Sequence, residues 1–122
     1  MKKYFERIYN KGIDSFYDEL KESLKSNKKS FIVTANPETF MYGEKDEVIN
    51  NIILDKKTIV VPDGIGIVKA SNMLGYNIKE RIPGIDIATK LLEYGNELNK
   101  TIYFFGAKKE VVEKLVEKVK KD

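Results

Sequence analysis

Polar residues follow two apolar segments of the chain at the points where strands would end. Thr34 and Asn36 come directly after one apolar run, in "TANPE" (34–38), and Asp63 follows another, in "PDGIG" (62–66). The chain contains no histidine, so acid–base chemistry must use a carboxylate, a lysine or a tyrosine. Asp63 can therefore take part in such chemistry, or it can serve as the N-cap that an aspartate in front of a helix often provides.

Several residues near these turns suit an anionic ligand. Gly64 and Gly66 allow a ligand to approach the backbone closely, and helix N-termini present free N–H groups to an anion. Arg81, in "ERIPGID" (80–86), carries a planar guanidinium that binds phosphate as lysine cannot. Each feature also has an ordinary interpretation, because Asn36 can cap a helix, Thr34 can bond backbone and Arg81 can be a surface residue. Taken singly, none of them decides a function.

Composition excludes several classes of protein. The absence of cysteine excludes disulfides and thiolate zinc sites, and the chain has no D-x-D pair for a metal. The net charge is only +3, and the alternating Lys and Glu of residues 108–122 indicate a solvated helix face and no nucleic-acid partner. No apolar run is long enough to cross a bilayer, and the N-terminus lacks the apolar core of a signal peptide. We expect a cytoplasmic protein.

Strand and helix patterns alternate along the whole chain. Short apolar runs predict strands at 30–35, 57–63 and 101–107, and helical spacing of apolar residues predicts helices at 13–25, 36–54, 64–74, 83–98 and 108–121. Gly43 is expected to break or bend the second helix. This alternation predicts a single α/β domain, residues 1–122, with a parallel sheet covered by helices on both faces. Three strands are few, so we expect a truncated form of a larger fold.

The turn motifs in this order resemble one known family. "TANPE", "VPDGIGIVKAS", "ERIPGID" and "IYFFGA" are similar to the WecG/TagA/CpsF family, glycosyltransferase family 26, over residues 30–115. The resemblance implies a Rossmann-like fold and transfer of an N-acetylmannosamine-type sugar. The donor would be a UDP-sugar and the acceptor an undecaprenyl-diphosphate-linked N-acetylglucosamine, for teichoic acid or another surface polysaccharide. It also implies inversion at the anomeric carbon, with no metal and no cofactor.

The resemblance also implies roles for individual residues. Asp63 matches the candidate general base, Thr34 a polar residue near the transferred sugar, and Arg81 an arginine near the donor. The other matching positions are expected to contact substrate or to shape the site: Asn36, Gly64, Gly66, Asp86 and Gly106.

Family members are considerably longer than this chain, and that difference shapes three further expectations. We expect activity to need the longer form, a peripheral contact with the inner face of the membrane in that form, and a homo-oligomer formed through unpaired sheet edges. Two alternatives to a transferase stay open. The chain can be a module that binds a nucleotide-sugar without turnover, or an interaction protein that assembles through its sheet edge.

Overall fold

Short strands and longer helices alternate along the chain, as the apolar pattern predicts. The computed structural model describes residues 2–106 and 108–121. The helices are α1 (Lys2–Phe5), α2 (Ile13–Lys25), α3 (Pro37–Lys45), α4 (Glu47–Leu54), α5 (Ile65–Met73), α6 (Gly84–Glu97) and α7 (Lys109–Lys121). The strands are β1 (Phe31–Ala35) and β2 (Thr58–Pro62). Every helix predicted from the sequence is present, and α1 is an additional single turn.

The two strands form a parallel sheet. Their register runs from Phe31 opposite Thr58 to Ala35 opposite Pro62. The N-terminal segment takes the other edge of β2, because Ile8 forms a parallel bridge with Val60 and the next backbone N–H donates to the Val60 carbonyl over 2.7 Å. In the part of the chain that the structure describes, the outer edge of β1 therefore has no partner strand.

Helices cover both faces of this small sheet, which confirms the predicted α/β layering. One core cluster joins α1, α3, α4 and α5 to the strands, with its members Tyr4, Phe5, Ile8, Ala35, Phe40, Ile53, Val60, Ile67 and Ile78. A second cluster joins α2 and α6 to the other face, with its members Phe16, Leu20, Val61, Ile82 and Ile87. The neighbouring residues Val60 and Val61 belong to different clusters, since successive side chains of a strand point to opposite faces.

The third predicted strand, at 101–107, is wrong for the residues that the structure describes. Residues 101–105 form no strand, and Tyr103 and Phe105 are 83% and 92% exposed, while Ala107 lies outside the described residues. An apolar run becomes a strand only where a neighbour takes its backbone hydrogen bonds. Ile102 packs against Gly95 of α6 instead. The packing is so close that a Cβ added to Gly95 would lie 2.8 Å from Cδ1 of Ile102.

The predicted interruption of the second helix is present, but it does not lie at Gly43. Helix α3 continues to Lys45, and the interruption falls at Asp46, whose carboxylate accepts hydrogen bonds from two backbone N–H groups at the start of α4. Gly43 is buried, and a Cβ there would lie 3.0 Å from both Tyr4 and Ile53. Close packing explains this glycine, and an N-cap explains the break.

Candidate active site

Three helices begin at the carboxyl edge of the sheet. Helix α3 follows the end of β1 and α5 follows the end of β2. The start of α6 is brought to the same edge because the N–H of Ile82 donates to the Pro62 carbonyl over 2.6 Å. The N–H of Asp63 donates to the Ala35 carbonyl over 3.0 Å, which holds the ends of the two strands together. Ligands of parallel α/β sheets bind outside this edge.

Asp63 is half-buried and bound to the start of α6. Its Oδ1 accepts a hydrogen bond from the backbone N–H of Gly84 over 2.7 Å. The cap expected on the following helix is wrong, since Gly64 is the N-cap residue of α5 and no side chain caps that helix. Within the described ranges, Oδ2 of Asp63 has no hydrogen-bond partner. One carboxylate oxygen is therefore fixed, and the other can accept a proton from a ligand.

Thr34 packs against the same helix start. A Cβ added to Gly84 would lie 3.1 Å from Cγ2 of Thr34 and 3.5 Å from its Oγ1. The structure thus brings Thr34, Asp63 and Gly84 together from the ends of two strands and the first residue of α6. The first two were predicted as site residues. Gly84 was missed, although the motif "ERIPGID" contains it and a glycine at the first position of a helix is itself a signal.

Asn36 caps α3, which confirms its ordinary interpretation. Its Oδ1 accepts hydrogen bonds from the backbone N–H of Thr39 over 3.0 Å and from the Thr39 hydroxyl over 3.1 Å. In return, the N–H of Asn36 donates to the Thr39 hydroxyl over 3.3 Å. The amide Nδ2 takes no part in this cap, and it is the group that a substrate contact would use.

Open space lies above Gly64 and Gly66 at the start of α5. A Cβ added to either glycine would meet nothing within 4 Å. Neither residue has a positive φ angle, so no backbone strain requires glycine here. The first N–H groups of α5 have no side-chain cap. The arrangement therefore offers an uncovered helix N-terminus, which favours an anion that approaches closely.

The remaining predicted site residues, Arg81, Asp86 and Gly106, form no hydrogen bond or ion pair with Asp63 or Thr34 among the described residues. Arg81 is exposed and has no ion pair or side-chain hydrogen bond within the described ranges. Asp86 is exposed in the first turn of α6. The pKa of Tyr17 is raised mainly by the burial of its own hydroxyl and then by the charge of Asp86. Gly106 lies in an exposed bend with φ +112°, directly after residues 101–105, which form no strand.

Metal sites and membrane-spanning helices are both absent from the described residues. Across residues 2–106 and 108–121, no group of three or more acidic side chains is placed to hold a metal ion. Within the same ranges, no helix combines the length and the apolar character needed to span a membrane.

A family comparison decides the wider relationship. Residues 6–122 match the model of the family described as "Glycosyl transferase WecG/TagA/CpsF family". The chain belongs to this family. The predicted resemblance is confirmed, and the match extends beyond residues 30–115 toward both ends.

Three curated proteins are similar to this chain in sequence. The N-acetylglucosaminyldiphosphoundecaprenol N-acetyl-beta-D-mannosaminyltransferase of Bacillus spizizenii W23 is 36% identical over 111 residues, which cover 90% of this chain and 43% of the relative. The Bacillus subtilis 168 protein of that name is 32% identical with the same coverage. The Staphylococcus aureus NCTC 8325 protein of that name is 36% identical over 88 residues, 72% of this chain and 34% of the relative.

The chain thus spans less than half the length of these curated relatives. A search of solved structures gave no match.

Proposed function

We propose that this chain supplies the catalytic base and part of the donor site of a sugar transferase. The transferred sugar is N-acetylmannosamine or a close relative, the donor is a UDP-sugar, and the acceptor is N-acetylglucosamine linked to a polyprenyl diphosphate. The names of the relatives support the sugar and the acceptor. The observation that carries the chemistry is the half-buried Asp63 carboxylate, with Oδ1 fixed by Gly84 and Oδ2 open.

The proposed reaction is an inverting displacement. The acceptor hydroxyl attacks the anomeric carbon and gives its proton to Oδ2 of Asp63. The bond between that carbon and the diphosphate oxygen breaks, and its electron pair leaves with UDP. A positioned general base contributes about 10²–10⁴-fold to such a step. Thr34, packed on the first residue of α6, is proposed to hold the transferred sugar beside the base.

The negative charge of the departing UDP needs a stabilising partner. The open N-terminus of α5, at Gly64 and Gly66, is proposed to receive the diphosphate, and Arg81 to bind it with its guanidinium. These groups belong to the chain itself, so we propose that transfer needs neither metal nor cofactor and survives EDTA. Loss of transfer in EDTA, with recovery on added magnesium or manganese, would contradict this part of the proposal.

A lipid-linked acceptor is consistent with apolar side chains at the same edge. Ile65 and Ile85, in the first turns of α5 and α6, are 63% and 77% exposed. They follow Gly64 and Gly84 directly, so an apolar border lies beside the proposed diphosphate site. We propose that the protein works in the cytoplasm, at the inner face of the membrane, and that it engages the membrane peripherally.

One assay separates this function from the main alternative. The full natural chain is given UDP-N-acetylmannosamine and a lipid-linked N-acetylglucosamine, and released UDP is measured together with UDP binding by calorimetry. We expect both binding and acceptor-dependent release. Binding without release would favour a module that binds a nucleotide-sugar without turnover. That alternative stays open because the chain covers only 43% of the length of the Bacillus spizizenii relative. Absence of both would contradict the proposed function.

A further inference from the structure

Gly84 occupies a position whose backbone conformation does not require glycine. It is the first residue of α6, after the N-cap residue Pro83, and its φ angle is not positive. Glycine is among the weakest helix formers, so a helix start without strain does not favour it. Another property of this residue must explain its presence.

The first such property is the missing side chain. A Cβ on Gly84 would lie 3.1 Å from Cγ2 of Thr34, tighter than an ordinary van der Waals contact. The nearest atom is therefore the Thr34 methyl carbon. The Thr34 hydroxyl oxygen lies 3.5 Å from the same Cβ position. Any larger residue would push Thr34 or the start of α6 away.

The second property is the backbone N–H, which donates to Oδ1 of Asp63 over 2.7 Å. This bond is one of three hydrogen bonds that link the start of α6 to the ends of the two strands. Ile82 is joined to Pro62 over 2.6 Å, and the N–H of Asp63 is joined to Ala35 over 3.0 Å. The start of α6 cannot shift without moving the carboxylate as well.

We infer that Gly84 is a positioning residue for the transfer reaction: its N–H holds one oxygen of the base Asp63, and its lack of a side chain places Thr34 beside that base. This inference rests on the proposed function. Gly84 itself touches neither the donor nor the acceptor. Its effect is therefore on the alignment of the base, where a displacement of about 1 Å can cost 10²-fold in rate.

The first test is the substitution Gly84→Ala, alone and combined with Thr34→Ser. The new Cβ displaces Thr34 in the single variant, so we expect kcat to fall at least tenfold while the donor KM and the UDP Kd stay within twofold. Thr34→Ser removes the methyl group that the new Cβ meets and keeps the hydroxyl. The double variant should therefore recover most of the kcat of its parent, Thr34→Ser.

The second test removes the N–H, using Gly84→Pro in the Thr34→Ser background. Proline and alanine place a Cβ at the same point, but proline has no N–H to donate, and its Cδ takes the place of the hydrogen that points at Oδ1 of Asp63. The substitution therefore both breaks the hydrogen bond and displaces the carboxylate. Proline suits the first position of a helix, and Pro83, with ψ 139°, has the extended backbone that a following proline requires. We expect kcat to stay at least tenfold below that of the matched alanine variant, with UDP affinity unchanged.

The outcomes separate Gly84 from the proposed function. If the wild type transfers the sugar and Asp63→Asn does not, the proposed function is supported. That result does not depend on the behaviour of the Gly84 variants. Equal kcat for the proline and alanine variants in the Thr34→Ser background, or full kcat for Gly84→Ala, would overturn the role of Gly84. A Gly84→Ala variant that fails to fold leaves the double variants, in which the Cγ2 contact is absent, to decide the question.

Discussion

Asp63 accepts a hydrogen bond at 2.7 Å from the backbone N–H of Gly84, a residue that lies 21 positions later in the chain. The bond joins the end of β2 to the start of α6, so the motifs "PDGIG" and "ERIPGID" form one structural unit. Asp63 therefore binds the first backbone N–H of α6 through Oδ1 and keeps Oδ2 for chemistry, so the two roles do not compete.

Asp63→Asn should abolish transfer and keep the fold. The amide oxygen can still accept the Gly84 N–H, but the side chain can no longer take a proton from the acceptor. We expect kcat to fall by about 10²–10⁴-fold with a change in Tm of a few degrees at most. UDP release and thermal melting of the full natural chain measure the two effects.

The matched control is Asp46→Asn. Asp46 caps α4 in a similar way, with its Oδ1 accepting from Val48 at 2.9 Å and from Ile49 at 3.4 Å. Its loss of charge should leave kcat unchanged. Turnover by Asp63→Asn within a few-fold of the wild type would exclude Asp63 as the base.

The two arginines of the chain should respond differently to lysine. Arg81 is exposed and proposed to bind diphosphate, so Arg81→Lys loses the planar fork and should raise the Kd for UDP about tenfold, or about 1.4 kcal/mol. Arg7 donates to the carbonyls of Ile53, Asp55 and Thr58 at 3.3, 2.7 and 2.7 Å. Arg7→Lys should therefore cost about 2 kcal/mol of folding free energy and leave UDP affinity unchanged.

Calorimetry and urea unfolding on both arginine variants provide the comparison. An unchanged Kd in Arg81→Lys would assign Arg81 to the surface. Weakened UDP binding in Arg7→Lys, at a temperature where that variant is fully folded, would show that the two residues are not separable in this way.

Gly66→Ala should stabilise the fold and weaken the binding of UDP. The new Cβ meets nothing in the described chain, and alanine is a better helix former than glycine by up to about 1 kcal/mol. The same Cβ enters the open space at the start of α5, where the diphosphate is proposed to lie. Thermal melting and UDP calorimetry should move in opposite directions. The control is Met73→Ala at the other end of α5, 88% exposed, which should leave UDP affinity alone.

The sequence alone predicts the residues at strand ends better than it predicts the sheet. Asp63 and Thr34 were found because apolar runs followed by polar residues indicate strand ends, and parallel strands bring their ends to one edge. The strand at 101–107 was predicted from the same kind of apolar run. Pairing depends on a neighbour, and local pattern carries no information on whether that neighbour is present.

Gly84 and Gly43 illustrate a second limit. Both glycines are explained by side chains distant in sequence, since Thr34 lies against Gly84, and Tyr4 and Ile53 lie against Gly43. A glycine in a sequence suggests a turn or a helix break, because those are its local uses. Its use in close packing appears only in three dimensions.

Stability should fall at alkaline pH through Tyr9. Burial, and then the nearby charge of Glu19, raises the pKa of Tyr9 from its ordinary value of 10.0 to about 12. The folded state therefore holds this proton more tightly than the unfolded state. Its contribution to stability is fully present below pH 10 and is lost as the pH rises toward 12.

Tyr9→Phe tests this dependence. The Tyr9 hydroxyl is buried and Glu19 is the charged group that acts on it, so its removal should change stability at pH 7 by no more than about 1 kcal/mol. Urea unfolding at pH 8, 10 and 11 should show the wild type losing stability faster than the variant above pH 10. Parallel curves for the two proteins would contradict the prediction.

The 122-residue chain should self-associate at low micromolar concentration. The outer edge of β1 has no partner in the described parts of the chain, and exposed strand edges pair readily with another molecule. Phe105 and Tyr103 are 92% and 83% exposed, and Val111 of α7 is 56% exposed. Covering a few hundred Å² of apolar surface gives several kcal/mol at about 25 cal/mol per Å², which is large against a total stability of about 5–15 kcal/mol.

Sedimentation velocity across a range of concentrations measures this association, with Phe105→Lys and Val111→Lys as variants that should shift the chain toward monomer. Met73→Lys is the control, because it places the same charge on another exposed side chain, which belongs to α5 and not to residues 101–106 or α7. It should associate like the wild type, since a lysine there disturbs neither the sheet edge nor the exposed aromatic residues. A chain that sediments as a monomer at every concentration and melts cooperatively would show that the open edge of β1 is tolerated, and homo-oligomer formation through it would be wrong.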